Sequence, residues 1–341
     1  MHFAFDQQQL EFRAQLQAFS HREYTPGELR AAWDSPTGWS EERWRALAEM
    51  GVIGMTVPAA HGGLGMGPVD LVLLLEELGR AAAPEPVLET TLLGVPLLLA
   101  AAPTHGELVA RWLARVAQGT AVLAVGTSTT AGVPGAVGAD LLLLERDGEV
   151  HAVEPVAATI TPRRSVDGAR RPAQVLWQPS PATLLVSDAG RRGVLGALGD
   201  RAAMGTGALL VGVAERMIAM AARYATDRRQ FGKPIGSFQA VKHHLADALV
   251  RVEFAKPAVY RAAWSLAEGD ADASVHASMA KALASDAAVL AARTALQVHG
   301  AIGYTWEHDL HLWMKKAWAL AAAWGDAAAH RARVLEAVAG A

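Results

Sequence analysis

The sequence predicts an α+β fold that is mainly α-helical, in which helices come first, short strands follow and long helices return. Apolar residues recur every three or four positions in the first third of the chain. Short β-rich runs separated by Gly, Pro and Asp follow, and helical periodicity resumes from about residue 194. We therefore expect an N-terminal helical domain at 1–119, a small middle β domain at 120–190 and a C-terminal four-helix bundle at 191–341.

The N-terminal helices are predicted from their apolar periodicity. Phe12, Leu16 and Phe19 lie on one face of the first helix. Further helical segments are expected around residues 44–50, 69–78 and 108–116.

The middle segment is predicted as a small antiparallel β unit. Its strands read AVLAVG, ADLLLLE, EVHAVEP, AATITP, QVLW and ATLLVS in chain order from Ala121. Gly, Pro, Asp and Ser clusters between these runs are typical of turns.

The C-terminal part is predicted as four long amphipathic helices. Val213, Met217 and Met220 mark the apolar face of the first helix, and Val241 and Leu245 begin that of the second. The third and fourth helices are expected at about 274–298 and 310–338. Short connections between long helices favour an antiparallel bundle.

The composition excludes several classes of protein. Of 341 residues, 52% are hydrophobic and 19% are charged, which suits a large core and is too little charge for a disordered chain. The net charge of −3, with both signs interspersed, predicts no nucleic-acid or membrane partner. The absence of cysteine excludes disulfides, thiol nucleophiles and thiolate metal sites. No signal peptide or unbroken apolar run of about 18 residues is present, so we expect an intracellular, cytoplasmic protein.

Two groups of residues could be mistaken for sites. The glycine run at 62–67 could cradle a phosphate, but no strand precedes it, and an interhelical loop is the favoured interpretation. The histidine pairs 308/311 and 243/244 lack a third ligand, so no metal site is expected.

Two corners between long helices carry stronger signals. In YATDRRQFGKPIGSFQ, from Tyr224 to Gln239, a helix ends in arginine, an aromatic residue and a Gly-x-Pro break. Guanidinium, aromatic and amide groups together suit a diphosphate beside a flat ring, although a plain interhelical turn is the alternative. In QVHGAIGY, from Gln297 to Tyr304, glycines would let a ligand approach the backbone.

These two segments resemble the C-terminal motifs of the acyl-CoA dehydrogenase family. WRALAEMGVIGMTVPAAHGGLGMGP and LEELGR, further upstream, resemble its N-terminal motifs, so the resemblance covers nearly the whole chain. It implies a helical, β and helix-bundle architecture and FAD-dependent α,β-dehydrogenation of an acyl-CoA thioester. In that chemistry a carboxylate removes the α-proton, and an electron-transfer flavoprotein or similar acceptor is the implied electron partner.

The resemblance also implies which residues bind FAD. Six residues match family positions that reach across a subunit interface to the neighbour's FAD: Arg228, Gln230, Phe231, Gln239, Gln297 and Gly300. Ala301 replaces a customary glycine beside them.

The family's catalytic carboxylate is missing from its expected positions. Trp324 stands where the customary glutamate would be, and an indole cannot abstract a proton. Ala202 stands at the alternative glutamate position used by some members. Asp326, two residues past Trp324, could act as a base only in a remodelled turn, and a helix-capping role is favoured for it.

The β segment also departs from the family pattern. The chain runs from Thr130 almost directly to Val137, so a loop and hairpin that cover the flavin in the family are missing. A subunit lacking them is expected to hold its own flavin poorly.

These losses and retentions predict a subunit that depends on a partner. The residues that would contact a neighbour's FAD are kept, whereas the base and the flavin-covering segment that the chain would use on its own are lost. The pattern resembles the paired acyl-CoA dehydrogenases of bacterial steroid side-chain degradation, with a homologous catalytic subunit as partner and a bulky acyl-CoA as substrate. A self-sufficient homo-oligomer that uses Asp326, and a flavin-free acyl-CoA-binding or structural protein, are the alternatives.

Overall fold

The computed structural model describes residues 4–128, 130, 132–187 and 191–340, without the side chains of residues 191 and 192. The predicted order of helices, strands and helices is confirmed. The N-terminal helices are α1 (Gln7–Glu23), α2 (Pro26–Asp34), α3 (Glu41–Glu49), α4 (Pro68–Arg80), α5 (Val95–Ala100) and α6 (Ala102–Ala117). A π-helical turn, Leu88–Gly94, leads directly into α5.

Side-chain caps determine where two of these helices begin. The Asp6 carboxylate accepts a hydrogen bond from the backbone N–H of Gln9, whose side chain accepts one from the backbone N–H of Asp6. This reciprocal pair starts α1. The Ser40 hydroxyl caps α3 by accepting from the backbone N–H of Arg43.

The predicted strands are present, but the sheet is not wholly antiparallel. The strands are β1 (Leu123–Gly126), β2 (Leu141–Arg146), β3 (Glu149–Val153), β4 (Thr159–Pro162), β5 (Ala173–Leu176) and β6 (Leu184–Val186). In the four-stranded sheet β1-β2-β3-β6, β1 runs parallel to β2, while the other pairs are antiparallel. The segment 127–140 is long enough for the crossover that a parallel pair requires, whereas a two-residue hairpin is not. Strands β4 and β5 form a separate antiparallel pair.

The C-terminal helices are α7 (Arg191–Asp227), α8 (Gln239–Glu268), α9 (Ala273–His299), α10 (Leu310–Ala322) and α11 (Ala327–Ala339). The single fourth helix predicted at about 310–338 is therefore wrong, because the chain breaks between α10 and α11. Trp324 and Gly325 have φ values of 57° and 92°, which no right-handed helix contains. Asp326 then caps α11.

Contacts within the chain define two compact units. The first comprises residues 1–29, 72–83 and 203–341, and the second comprises 30–71 and 84–202. This grouping does not test the predicted limits of the three domains, which remain a prediction. The predicted limit at residue 190 falls at the end of 188–190, outside the described residues.

In the first unit, α7 packs closely against the C-terminal half of α4. A Cβ at Gly212 would lie 1.8 Å from the carbonyl oxygen of Glu76, so only glycine allows this approach. The buried Glu76 carboxylate accepts hydrogen bonds from Arg13 at 2.8 Å and from the Tyr260 hydroxyl at 2.6 Å. Burial and the Glu76 carboxylate both raise the pKa of Tyr260, which therefore stays a neutral donor.

Among the described residues, one helix is long and apolar enough to cross a membrane by length and composition. It covers Gly193–Asp227, but 78% of its most apolar window is buried inside the protein. The buried core helix of a globular protein can have the same length and apolar composition.

Candidate functional site

The corner between α7 and α8 contains a short hairpin. Strands β7 (Arg229–Gln230) and β8 (Lys233–Pro234) pair antiparallel on either side of Phe231 and Gly232. Both tip residues have positive φ, 54° and 79°, as a two-residue type I′ turn requires. The connection between α7 and α8 is therefore a hairpin with a defined turn geometry, and this geometry does not decide between a cofactor corner and a plain interhelical turn.

The hairpin presents polar and aromatic groups to its surroundings. Phe231 is 91% exposed at the tip, in a left-handed conformation that is costly for a residue with a side chain. Arg228, Gln230 and Gln239 are also exposed. Phe238, at the start of α8, packs edge-on against Phe231 with ring centroids 6.1 Å apart, which supports the tip.

The second corner follows the end of α9. Gly300 has φ 66° and ψ −147°, and a Cβ placed on it would have no atom within 4 Å. The backbone is therefore open to close approach by a ligand at this point. Gln297 and Ala301, on either side of it, are exposed.

An aromatic cluster brings the two corners together. The Tyr224 ring, near the end of α7, stacks on His299 with centroids 4.5 Å apart, and His308 packs edge-on against His299 at 4.5 Å. His299 donates from Nδ1 to the carbonyl oxygen of Ala295 at 2.8 Å, since a carbonyl oxygen can only accept. Burial lowers the pKa of His299, the bond to Ala295 opposes this, and His308 lowers it further.

The sequence alone did not identify this cluster as a link between corners. Tyr224 and His299 belong to the two motifs, and His308 was weighed only as a metal ligand. The described residues contain no group of three or more His, Asp or Glu side chains placed to hold a metal ion. The one sequence signal that could have predicted this cluster was the spacing of His308 after the second motif.

A buried lysine forms hydrogen bonds to the backbone of the turn at Trp324. Lys281, on α9, is fully buried and donates hydrogen bonds to the carbonyl oxygens of Ala321 at 3.0 Å and Gly325 at 2.9 Å. His330, on α11, lies with Nε2 2.9 Å from the carbonyl oxygen of Trp324. The turn therefore has little freedom to be remodelled.

Neither side chain of this turn has the properties of a catalytic base. The indole N–H of Trp324 is buried and has no hydrogen-bond partner in the described part of the chain. The exposed Asp326 carboxylate accepts from the backbone N–H of Ala329 at 2.8 Å as the cap of α11. Backbone hydrogen bonds from Ala329 and Ala328 hold the pKa of Asp326 below its usual range, so it accepts protons poorly.

The alternative base position is also without a carboxylate. Ala202 lies on α7 and is fully buried. Its methyl group has no proton-transfer chemistry.

Comparisons with known proteins agree with the fold and the motifs. Residues 6–120 match the model of the acyl-CoA dehydrogenase N-terminal domain, and residues 190–339 match that of the C-terminal domain. The chain is 36% identical over 298 residues to the acyl-CoA dehydrogenase IpdE2 of Mycobacterium tuberculosis, covering 86% of this chain and 85% of the relative.

Two solved structures share the fold. The ChsE4-ChsE5 complex from Mycobacterium tuberculosis matches with a TM-score of 0.88 and 25% identity over 100% of both chains. The Tcur3481-Tcur3483 steroid ACAD matches with a TM-score of 0.87 and 25% identity over 98% of both chains. The chain belongs to the acyl-CoA dehydrogenase family.

Proposed function

We propose that this chain is a subunit of an FAD-dependent acyl-CoA dehydrogenase that contributes to a partner's FAD site and leaves the catalytic base to that partner. One observation carries the proposal. The turn at the family's base position presents an indole and a helix-capping carboxylate of lowered pKa, while the six candidate FAD-binding residues of the two corners are present and exposed.

The exposed corner residues fit FAD. Arg228 offers a guanidinium for a diphosphate, Phe231 offers a ring face, and the open backbone at Gly300 admits a ligand. Gln230, Gln239 and Gln297 add amide donors at the same two corners. Bound there, FAD supplies the hydride acceptor for α,β-dehydrogenation of an acyl-CoA thioester. This chain's own role is to bind and orient the cofactor from outside the catalytic subunit.

Exposed apolar side chains on the C-terminal bundle support this role, because they would suit assembly with another chain. Phe254 on α8 is 71% exposed, and Leu249 and Val250 on the same helix are 43% and 50% exposed. Apolar side chains at this density on one helix are typical of a surface that another chain covers. We expect a stable oligomer built through the bundle, and a monomer in sedimentation at micromolar concentration with every candidate partner present would contradict it.

The partner and substrate follow from the relatives. The proposed partner is a homologous acyl-CoA dehydrogenase chain, since one matched structure is a two-protein complex. In this proposal the partner supplies the glutamate that this chain lacks. The substrate class is a bulky acyl-CoA of steroid degradation, since one similar structure is a steroid ACAD. An electron-transfer flavoprotein or similar acceptor takes the electrons, and the reaction is cytoplasmic.

Flavin content tests the proposal. The chain is purified alone and after co-expression with the homologous chain of the neighbouring reading frame, and visible absorption is recorded. A colourless chain that becomes yellow and active only with the partner is expected. A yellow, active homo-oligomer would instead establish the self-sufficient enzyme, and persistent absence of flavin would establish a binding or structural protein.

A further inference from the structure

A cavity lies wholly within the second compact unit. Its volume is about 580 Å³, within the range of about 300–1,000 Å³ usual for small-molecule sites. Its wall is mostly apolar and includes Met66, Leu93, Leu97, Val194, Ala197 and Leu198. No residue of the two cofactor corners or of the Trp324 turn contributes to it.

One cation lines this apolar space. Arg201 is half-buried on α7, one helical turn after Ala197, so both side chains lie on the same helix face. It is the only charged residue among the described residues that form the wall. Burial lowers the pKa of Arg201, and the neighbouring Asp200 only opposes this shift.

The Arg201 guanidinium lacks a counterion in the cavity. Among the described residues it makes no hydrogen bond or ion pair, and Asp200, the adjacent position on the helix, is not part of the wall. The other polar side chain, Thr56, already donates its hydroxyl proton to the carbonyl oxygen of Thr91 at 2.6 Å. Asp200 attracts this half-buried guanidinium electrostatically but makes no hydrogen bond to it, so an anion in the cavity would stabilise the charge further.

We propose that this cavity binds an apolar molecule carrying one carboxylate, with the carboxylate paired to Arg201 and the hydrocarbon body packed against Leu93, Leu97 and Ala197. The planar guanidinium matches a carboxylate with two parallel hydrogen bonds. The phosphates of an acyl-CoA lie far from its acyl group, whereas here the cation lies in the apolar wall itself. The group that Arg201 recognises is thus a carboxylate, and the ligand proposed here is the free acid rather than the thioester of the proposed reaction.

Calorimetric titration of the full-length chain with decanoate and with decan-1-ol, below the concentration at which either aggregates, tests the assignment. We expect decanoate to bind at least about tenfold more tightly than the alcohol, since a charge-assisted hydrogen bond has that effect. Arg201→Gln should remove this difference and leave binding of the alcohol unchanged. Ala197→Phe should abolish binding of both probes by filling the cavity.

Arg164→Gln is the matched control, because Arg164 is an exposed arginine of the same unit. It should bind decanoate like the unmodified chain. Thermal unfolding of each variant checks that it is folded. If Arg201→Gln does not fold, Arg201→Lys is used in its place. Because lysine keeps the charge, this variant should retain part of the preference for decanoate over the alcohol.

Equal binding of the two probes, no binding of decanoate, or full decanoate affinity in Arg201→Gln would each overturn the proposal. These readouts involve neither flavin nor turnover, so such a failure is distinguishable from failure of the proposed function.

Discussion

The side-chain ammonium of Lys281 lies 2.9 Å from the carbonyl oxygen of Gly325, and this hydrogen bond joins the middle of α9 to the turn between α10 and α11. The same ammonium donates to the carbonyl oxygen of Ala321 and to the Ser285 hydroxyl, at 3.0 and 3.1 Å. These three acceptors are neutral oxygens of the turn and its surroundings, and the ammonium also interacts electrostatically with the Asp326 carboxylate.

Lys281→Met should destabilise the chain while keeping the length and apolar stem of the side chain. Because two carbonyl oxygens of the turn lose a charged donor, we expect the free energy of unfolding to fall by about 2–4 kcal/mol. Urea unfolding measures the change, and Lys242→Met, on the exposed face of α8, is the control. A loss no larger than that of the control would show that the turn does not depend on Lys281.

Asp326→Asn separates a capping role from a catalytic one. Asparagine caps helices as well as aspartate does, but it cannot accept the α-proton. In the assembled complex we expect turnover to stay within about threefold of the unmodified enzyme, since a lost general base costs about 100-fold or more. A fall of that size would make Asp326 catalytic and the proposed division of labour wrong.

Arg228→Ala should weaken flavin retention by the complex. Loss of one charge-assisted contact, about 1.5–3 kcal/mol, corresponds to a decrease in affinity of at least about tenfold. Flavin released during gel filtration or dialysis gives the readout. Arg229→Ala, at the adjacent exposed position of the same hairpin, is the matched control and should release less flavin. Equal retention by the two variants would remove Arg228 from the cofactor site.

Protonation of His299 should destabilise the fold at mildly acidic pH. Its folded-state pKa is lowered, mainly by burial, so the unfolded chain binds more protons once the pH falls through about 6.5. The contribution of neutral His299 is therefore complete above that pH and is lost as the pH falls toward its folded value.

His299→Phe keeps an aromatic ring against Tyr224 and cannot be protonated, so it should flatten the decline in unfolding free energy between pH 7 and about pH 5. His243→Gln, which removes an exposed imidazole on α8, controls for the loss of a histidine. An unchanged decline in His299→Phe would assign the pH dependence to other groups.

Much of the fold could be predicted because its signals are local. The apolar repeat through Val213 and Met217 reports a helix from neighbouring turns alone, and alternating runs bounded by glycine and proline report strands in the same way. Strand direction was not predictable from such signals. Whether β1 meets β2 in parallel depends on the path of the intervening segment 127–140 and on which apolar faces pack together.

The candidate site, too, could be predicted from the sequence only in part. The two corners were evident from Arg228, Phe231 and Gly300, because guanidinium, aromatic and glycine residues beside helix ends are readable as a motif. The stacking of Tyr224 on His299 was not, since it joins the ends of two helices that are distant in sequence. Such contacts arise from how the bundle helices pack.

By itself the sequence determined the family, the order of helices and strands, and the absence of a carboxylate at Trp324 and Ala202, because each of these is a property of residue type and short-range spacing. The helix-capping role favoured for Asp326 is also local, since its partner is the backbone N–H of Ala329. Only the tertiary structure decided that Lys281 holds the turn before α11 and that Arg201 lines an apolar cavity. Those roles depend on which distant backbone and side-chain groups packing brings within hydrogen-bonding or van der Waals distance, and residue spacing alone does not encode that proximity.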